Sequence, residues 1–85
     1  MEKLNLVKST FDELPNNVEA EQAVLGSILV SNEIFDDISP IINSKNFFDP
    51  MHQKIYVAME KLIFGGMLAN PITLKNFFEN EKDDL

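Results

Sequence analysis

Three residue pairs punctuate this chain: Asp49-Pro50, Gly65-Gly66 and Asn70-Pro71. An Asp or Asn followed by proline reads as a helix start. The side chain accepts from free N–H groups, and proline in the first turn forfeits no hydrogen bond. Gly-Gly reads as a stop, because glycine enters the left-handed conformation that ends helices. The pairs therefore predict one helix from Pro50 to about Phe64 and another beginning at Asn70-Pro71. Met51, Ile55, Met59, Leu62 and Ile63 keep a helical period in the first, with Tyr56 and Ala58 beside them. Ile72, Leu74, Phe77 and Phe78 follow in the second.

The first half of the chain reads in the same terms. Residues 1–14 carry no long helical period and read as a tail, and Pro15-Asn16-Asn17 marks a boundary. Either Asn can cap a helix over Val18–Val30. With Asn16 as cap, Glu19 closes a capping box, and Glu19 and Glu21 favour the dipole of the first turn. Val24, Leu25, Ile28 and Leu29 form its stripe. Gly26 sits inside it at a cost of about 1 kcal/mol relative to alanine. A close crossing with the third helix near Ala58 and Met59 would offset that cost and make Gly26→Ala destabilising. A solvent-facing glycine predicts the opposite sign. Ser31-Asn32 closes this helix and caps the next, whose face is Ile34, Phe35, Ile38, Ile41 and Ile42. Pro40 predicts a kink or break over 37–39. Asn43-Ser44-Lys45-Asn46 is a connector, and the acidic run over 79–84 predicts a frayed C-terminal end.

No strand-like alternation is present, so the class is all-α: a compact four-helix, orthogonal-type bundle. The domain division is a tail over 1–14 and a helical domain over 15–85. Val24, Leu25, Ile28, Leu29, Phe35, Ile38, Ile55, Tyr56, Met59 and Leu62 are the expected core.

Of the 85 residues, 45% are hydrophobic, a globular composition. A net charge of −7 argues against nucleic-acid binding, which normally uses a basic stripe, and leaves room for a basic protein partner. With no cysteine there is neither a disulfide framework nor a thiolate metal site. The apolar runs are too short for a membrane span, and the first 14 residues do not resemble a signal peptide, so a cytoplasmic protein is expected. No phosphate loop, dinucleotide fingerprint or nucleophile elbow is present. His52, the only histidine, makes neither a triad nor a zinc site alone, and a packing or capping role in its first turn is favoured. Asp36-Asp37 and Asp83-Asp84 read as solvated acids. Phe47-Phe48 and Phe77-Phe78 have no basic residue directly adjacent to them and read as core or interface rather than base-stacking platforms. No catalytic, cofactor-binding or metal site is expected.

Read as strings, the helices carry more. Glu19-Ala20-Glu21-Gln22-Ala23-Val24-Leu25-Gly26-Ser27-Ile28-Leu29 follows Leu14-Pro15 and Asn17-Val18. Asn32-Glu33 and Phe35-Asp36-Asp37-Ile38 come next, then Phe47-Phe48-Asp49-Pro50-Met51-His52-Gln53-Lys54-Ile55-Tyr56, and Gly66 with Thr73-Leu74 seven residues on. Their order and spacing over 14–78 closely resemble the N-terminal domain of bacterial replicative DNA helicases, the DnaB family. Glu19, Gln22, Gly26, Phe47, Phe48, His52, Ile55, Tyr56, Thr73 and Leu74 are the motif positions, with structural roles. The resemblance implies a non-catalytic collar domain of a hexameric helicase, contacting subunits of its own kind and docking primase. ATP and Mg would belong to a separate motor domain. Two departures stand out: the chain stops before the helical hairpin that follows in the family, as a fragment would, and the proline of the loop before Thr73-Leu74 has moved to Pro71. The alternative is a stand-alone acidic helical regulator or adaptor that binds a basic protein.

Overall fold

The computed structural model describes residues 18–83, with side chains to residue 80. Four α-helices appear there: α1 (Val18–Val30), α2 (Glu33–Ile38), α3 (Pro50–Phe64) and α4 (Pro71–Asp83), with a single 3-10 turn over Ser44–Asn46. There is no strand among the described residues. The all-α expectation holds, and the bounds of α1 and α3 are those the sequence predicts. The 1–14 tail and the Asn16–Glu19 box involve residues outside the described ones.

The punctuation works as local chemistry demands. Asp49 Oδ1 accepts from the Met51 N–H at 2.8 Å, with Pro50 opening α3. Asn70 Oδ1 accepts from the N–H groups of Ile72 and Thr73, and Thr73 Oγ1 accepts in return from the Asn70 N–H, a reciprocal box at the head of α4. At the end of α3 the Gly66 N–H bonds the Ile63 carbonyl and the Met67 N–H reaches back to that of Leu62. This double closure requires a left-handed residue, and Gly66 supplies it with φ 83°. The Asn43–Asn46 connector caps itself: Asn43 accepts from the Lys45 N–H, and Asn46 accepts from the Asn43 N–H. Helix α2 ends at Ile38, where the break was expected. Pro40 has no N–H, and the N–H groups of Ile41 and Ile42 both turn back onto the Ile38 carbonyl. Helix α4 stays helical through the acidic run to Asp83, while residue 84 of that run lies outside the described residues.

Helix α3 is central: it packs against α1, α4 and the 3-10 turn, and α1 also packs against α2. Leu25 and Ile28 of α1, Phe35 and Ile38 of α2, and Tyr56, Met59 and Leu62 of α3 are buried, as expected. Phe47 joins them, so that Tyr56 lies between two rings, Phe35 at 5.6 Å and Phe47 at 5.0 Å between centroids. The Tyr56 hydroxyl donates to the Ile42 carbonyl at 2.7 Å. Burial, reinforced by the charge of Glu60, pushes its pKa up to about 12.

Three expectations are corrected. Val24, Leu29 and Ile55 are only partly buried at the edge of the core, and Met51 is exposed. The inward face of α3 runs through His52, Tyr56, Met59 and Leu62, one position round from the purely apolar stripe. Gly26 has no close helix crossing, because a Cβ built there would meet no atom within 4 Å. Asn32 does not cap α2 with its side chain. That side chain spans the corner between α1 and the loop after α3, as described below.

Candidate functional site

The most constrained polar cluster joins the N-terminal ends of α1 and α3. Glu21 lies one turn before Leu25 and two before Ile28, so the helical period that buries those residues buries Glu21 as well. His52 bears the same relation to Tyr56 and Met59 on α3. Both side chains are less than a tenth exposed. His52 Nδ1 meets Glu21 Oε1 at 2.8 Å. The carboxylate also accepts from the Phe48 N–H at 2.7 Å on Oε2 and from the Asp49 N–H at 3.2 Å on Oε1. One carboxylate thus ties α1 to the chain that enters α3. Burial alone would raise its pKa. The hydrogen bonds from His52, Phe48 and Asp49, together with the attraction of His52, outweigh burial and hold the carboxyl below its ordinary value. An ionised carboxylate at Oε1 accepts only, which places the proton of the pair on His52 Nδ1.

Gln53 extends this clasp: its Nε2 donates to the Phe47 carbonyl at 2.6 Å. Phe47 turns into the core while Phe48 is displayed outward, so the adjacent rings have opposite environments. A second clasp lies at the other end of α1. Asn32 Nδ2 donates to the carbonyls of Ile28 at 2.8 Å and Ala69 at 3.0 Å, and its Oδ1 accepts from the Ala69 N–H at 2.7 Å. Among the described residues no buried side-chain nitrogen or oxygen lacks a partner.

The motif positions therefore divide. Phe47, His52, Tyr56 and Leu74 are buried, Thr73 completes the α4 cap, and Ile55 and Gly26 are half-buried. Glu19, Gln22 and Phe48 face outward. The structure brings His52 and Phe48 together through Glu21, which together with Asn32 was missing from the candidate positions. Its signal was present: Glu21, Leu25 and Ile28 share one helical face, so the acid continues a core stripe. Among the described residues no group of three or more His, Asp or Glu side chains is placed to hold a metal ion. No helix there is long and apolar enough to cross a membrane.

Residues 13–84 match the family described as the DnaB-like helicase N terminal domain. The chain belongs to that family. It is 46% identical over 69 residues to the replicative DNA helicase DnaB of Rickettsia felis, a match covering 81% of this chain and 14% of that protein. The corresponding helicase of Rickettsia bellii is 45% identical over the same shares. That of Buchnera aphidicola subsp. Baizongia pistaciae is 41% identical over 81% of this chain and 15% of its own length. The chain thus spans about a seventh of the DnaB helicases it matches. No solved structure matches it.

Proposed function

We propose that this chain is the non-catalytic N-terminal collar domain of a ring-forming, ATP-dependent replicative DNA helicase. In this reading it supports assembly of the hexameric ring and docks primase in the cytoplasm. The observation that carries the proposal is the family match over 13–84 to helicases of which the chain covers only about a seventh. ATP and Mg belong to the motor in the rest of such a protein, and DNA contact belongs there too. The net charge of −7 supports that division, since phosphate neutralisation needs clustered lysine or arginine. The Glu21 and Asn32 clasps suit a rigid docking body: each fixes a loop by side-chain bonds to backbone groups, holding its outward residues in one geometry.

The test is a titration of the purified chain with primase from the same organism, read by calorimetry, alongside ATPase and oligonucleotide-binding assays. Saturable primase binding without turnover or a DNA shift is the expected result. ATP hydrolysis that tracks the chain through purification, or salt-dependent binding to short oligonucleotides, overturns the assignment. The alternative, a stand-alone acidic regulator, is separated by the gene sequence beyond codon 85. A collar domain continues into a helical hairpin, a linker and a phosphate loop.

A further inference from the structure

Phe48 is 60% exposed and Met51 56%, one on the chain entering α3 and the other in its first turn. Local bonds fix both. The Phe48 N–H donates to Glu21 Oε2 at 2.7 Å, and the Met51 N–H donates to Asp49 Oδ1 at 2.8 Å. Val18, 36% exposed, lies one turn before Glu21 on α1 and so borders the same ground. The three side chains expose about 300 Å² of apolar surface, well below the ~800 Å² each partner gives to a standard interface. A patch of that size suits a short segment. A tether would offset the weakness of so small a contact by raising the effective concentration.

The surroundings of the patch are basic in a chain of net charge −7. Lys45 stands three residues before Phe48, Lys54 stands one turn after Met51 on α3, and both are exposed. Asp49 is engaged in the α3 cap, and Glu19 is two residues from Glu21, on another side of α1. A segment that is both acidic and apolar complements such a surface. This chain carries one, Phe11-Asp12-Glu13-Leu14. Leu14 lies four residues and Phe11 seven residues before Val18, where the chain enters α1 beside the patch. Seven residues span at most ~25 Å, against the ~10 Å between the axes of packed helices, so the segment can reach both Phe48 and Met51. The family match begins at residue 13, so Phe11 and Asp12 precede it. We propose that Phe11 and Leu14 dock on Phe48 and Met51 of the same chain, with Asp12 and Glu13 facing Lys45 and Lys54. Docked, the segment covers the exposed ring beside the Glu21 clasp and keeps it from other proteins. The inference is independent of the collar function proposed above.

The chain has no cysteine, so Thr10→Cys gives one attachment point for a nitroxide label. The experiment is paramagnetic broadening of amide NMR signals in the full labelled chain. The Phe48 and Met51 amides should broaden strongly, and those of Gly65 and Gly66, beyond the far end of α3, should not. Adding Phe11→Ser with Leu14→Ser should cut the broadening at Phe48 and Met51 by at least about threefold, as should Asp12→Lys with Glu13→Lys. Leu4→Ser with Leu6→Ser, outside the docking segment, should leave it unchanged. Circular dichroism selects the folded variants, and the charge-reversed pair decides alone if the apolar pair does not fold. Equal broadening in the docking and control variants overturns the proposal. So does broadening of Phe48 and Met51 when spin-labelled chain of natural isotope content is mixed with unlabelled nitrogen-15 chain, because the contact then lies between two copies.

Discussion

The two ends of α1 are pinned by different chemistry. At the N-terminal end a buried carboxylate collects His52 and two backbone N–H groups; at the C-terminal end a neutral amide grips both polar groups of Ala69. Each solves the same problem, since the backbone beside α1 at these two points lies outside regular structure and needs partners. Glu21 answers with charge: its bonds strengthen because it is ionised, and they weaken when it is protonated. Asn32 answers with a donor and an acceptor on one group, which no carboxylate can supply. The first pin should depend on pH and the second should not.

The largest effect should come from removing Glu21. Glu21→Ala leaves two backbone N–H groups and the His52 ring without their acceptor at a buried site, a loss of about 3–5 kcal/mol. A small domain has little more than that to lose. Urea melts followed by circular dichroism should show most of the cooperative transition gone, and a midpoint within error of wild type would remove Glu21 from the account. Leu25→Ala, in the neighbouring core, should cost a comparable ~2–5 kcal/mol through cavity formation. It serves as an apolar reference measured in the same melts.

Next in size is the amide pin. Asn32→Ala should cost ~1–3 kcal/mol through the orphaned Ala69 groups. Asn32→Asp should cost more than alanine, because a carboxylate oxygen would then face the carbonyls of Ile28 and Ala69. If aspartate is tolerated better than alanine, the donor role assigned to Nδ2 is wrong. The smallest effect, and the only gain, belongs to Gly26. With open space where a Cβ would sit, Gly26→Ala should raise stability by up to ~1 kcal/mol. A lower melting temperature would restore the close crossing that the geometry denies.

Much of this fold is written in short-range chemistry. Asp49-Pro50, Gly65-Gly66 and Asn70-Pro71 act through bonds that span a few residues, so the limits of α3 and the start of α4 are legible without tertiary knowledge. The break at Pro40 is legible for the same reason. The two pins are not. Asn32 lies 37 residues from Ala69 and Glu21 lies 31 from His52, and nothing local says which distant group will arrive. Local rules even point elsewhere, because an acid in a first turn suits the helix dipole and an Asn before a helix suits a cap. What betrays Glu21 is its register with Leu25 and Ile28, and what betrays His52 is its register with Tyr56 and Met59. A stripe drawn from apolar residues alone prefers Met51 to His52 and so turns the face of α3 by one position. Gly26 misleads in the other direction: its cost suggests a packing reason, yet the space beside it is empty.

One ionised carboxylate holds α1 to the entry of α3. Because the pKa of Glu21 is lowered in the folded chain, its contribution is fully present above its ordinary value of 4.5 and is lost as pH falls through the lower folded value. The informative quantity is the difference between wild type and Glu21→Gln, from urea melts at a series of pH values from neutrality into the acid range. The expected result is a wild-type advantage that is constant near neutral pH and shrinks steadily below about pH 4.5. A difference that stays constant across the acid range, or a glutamine variant as stable as wild type at neutral pH, would contradict it.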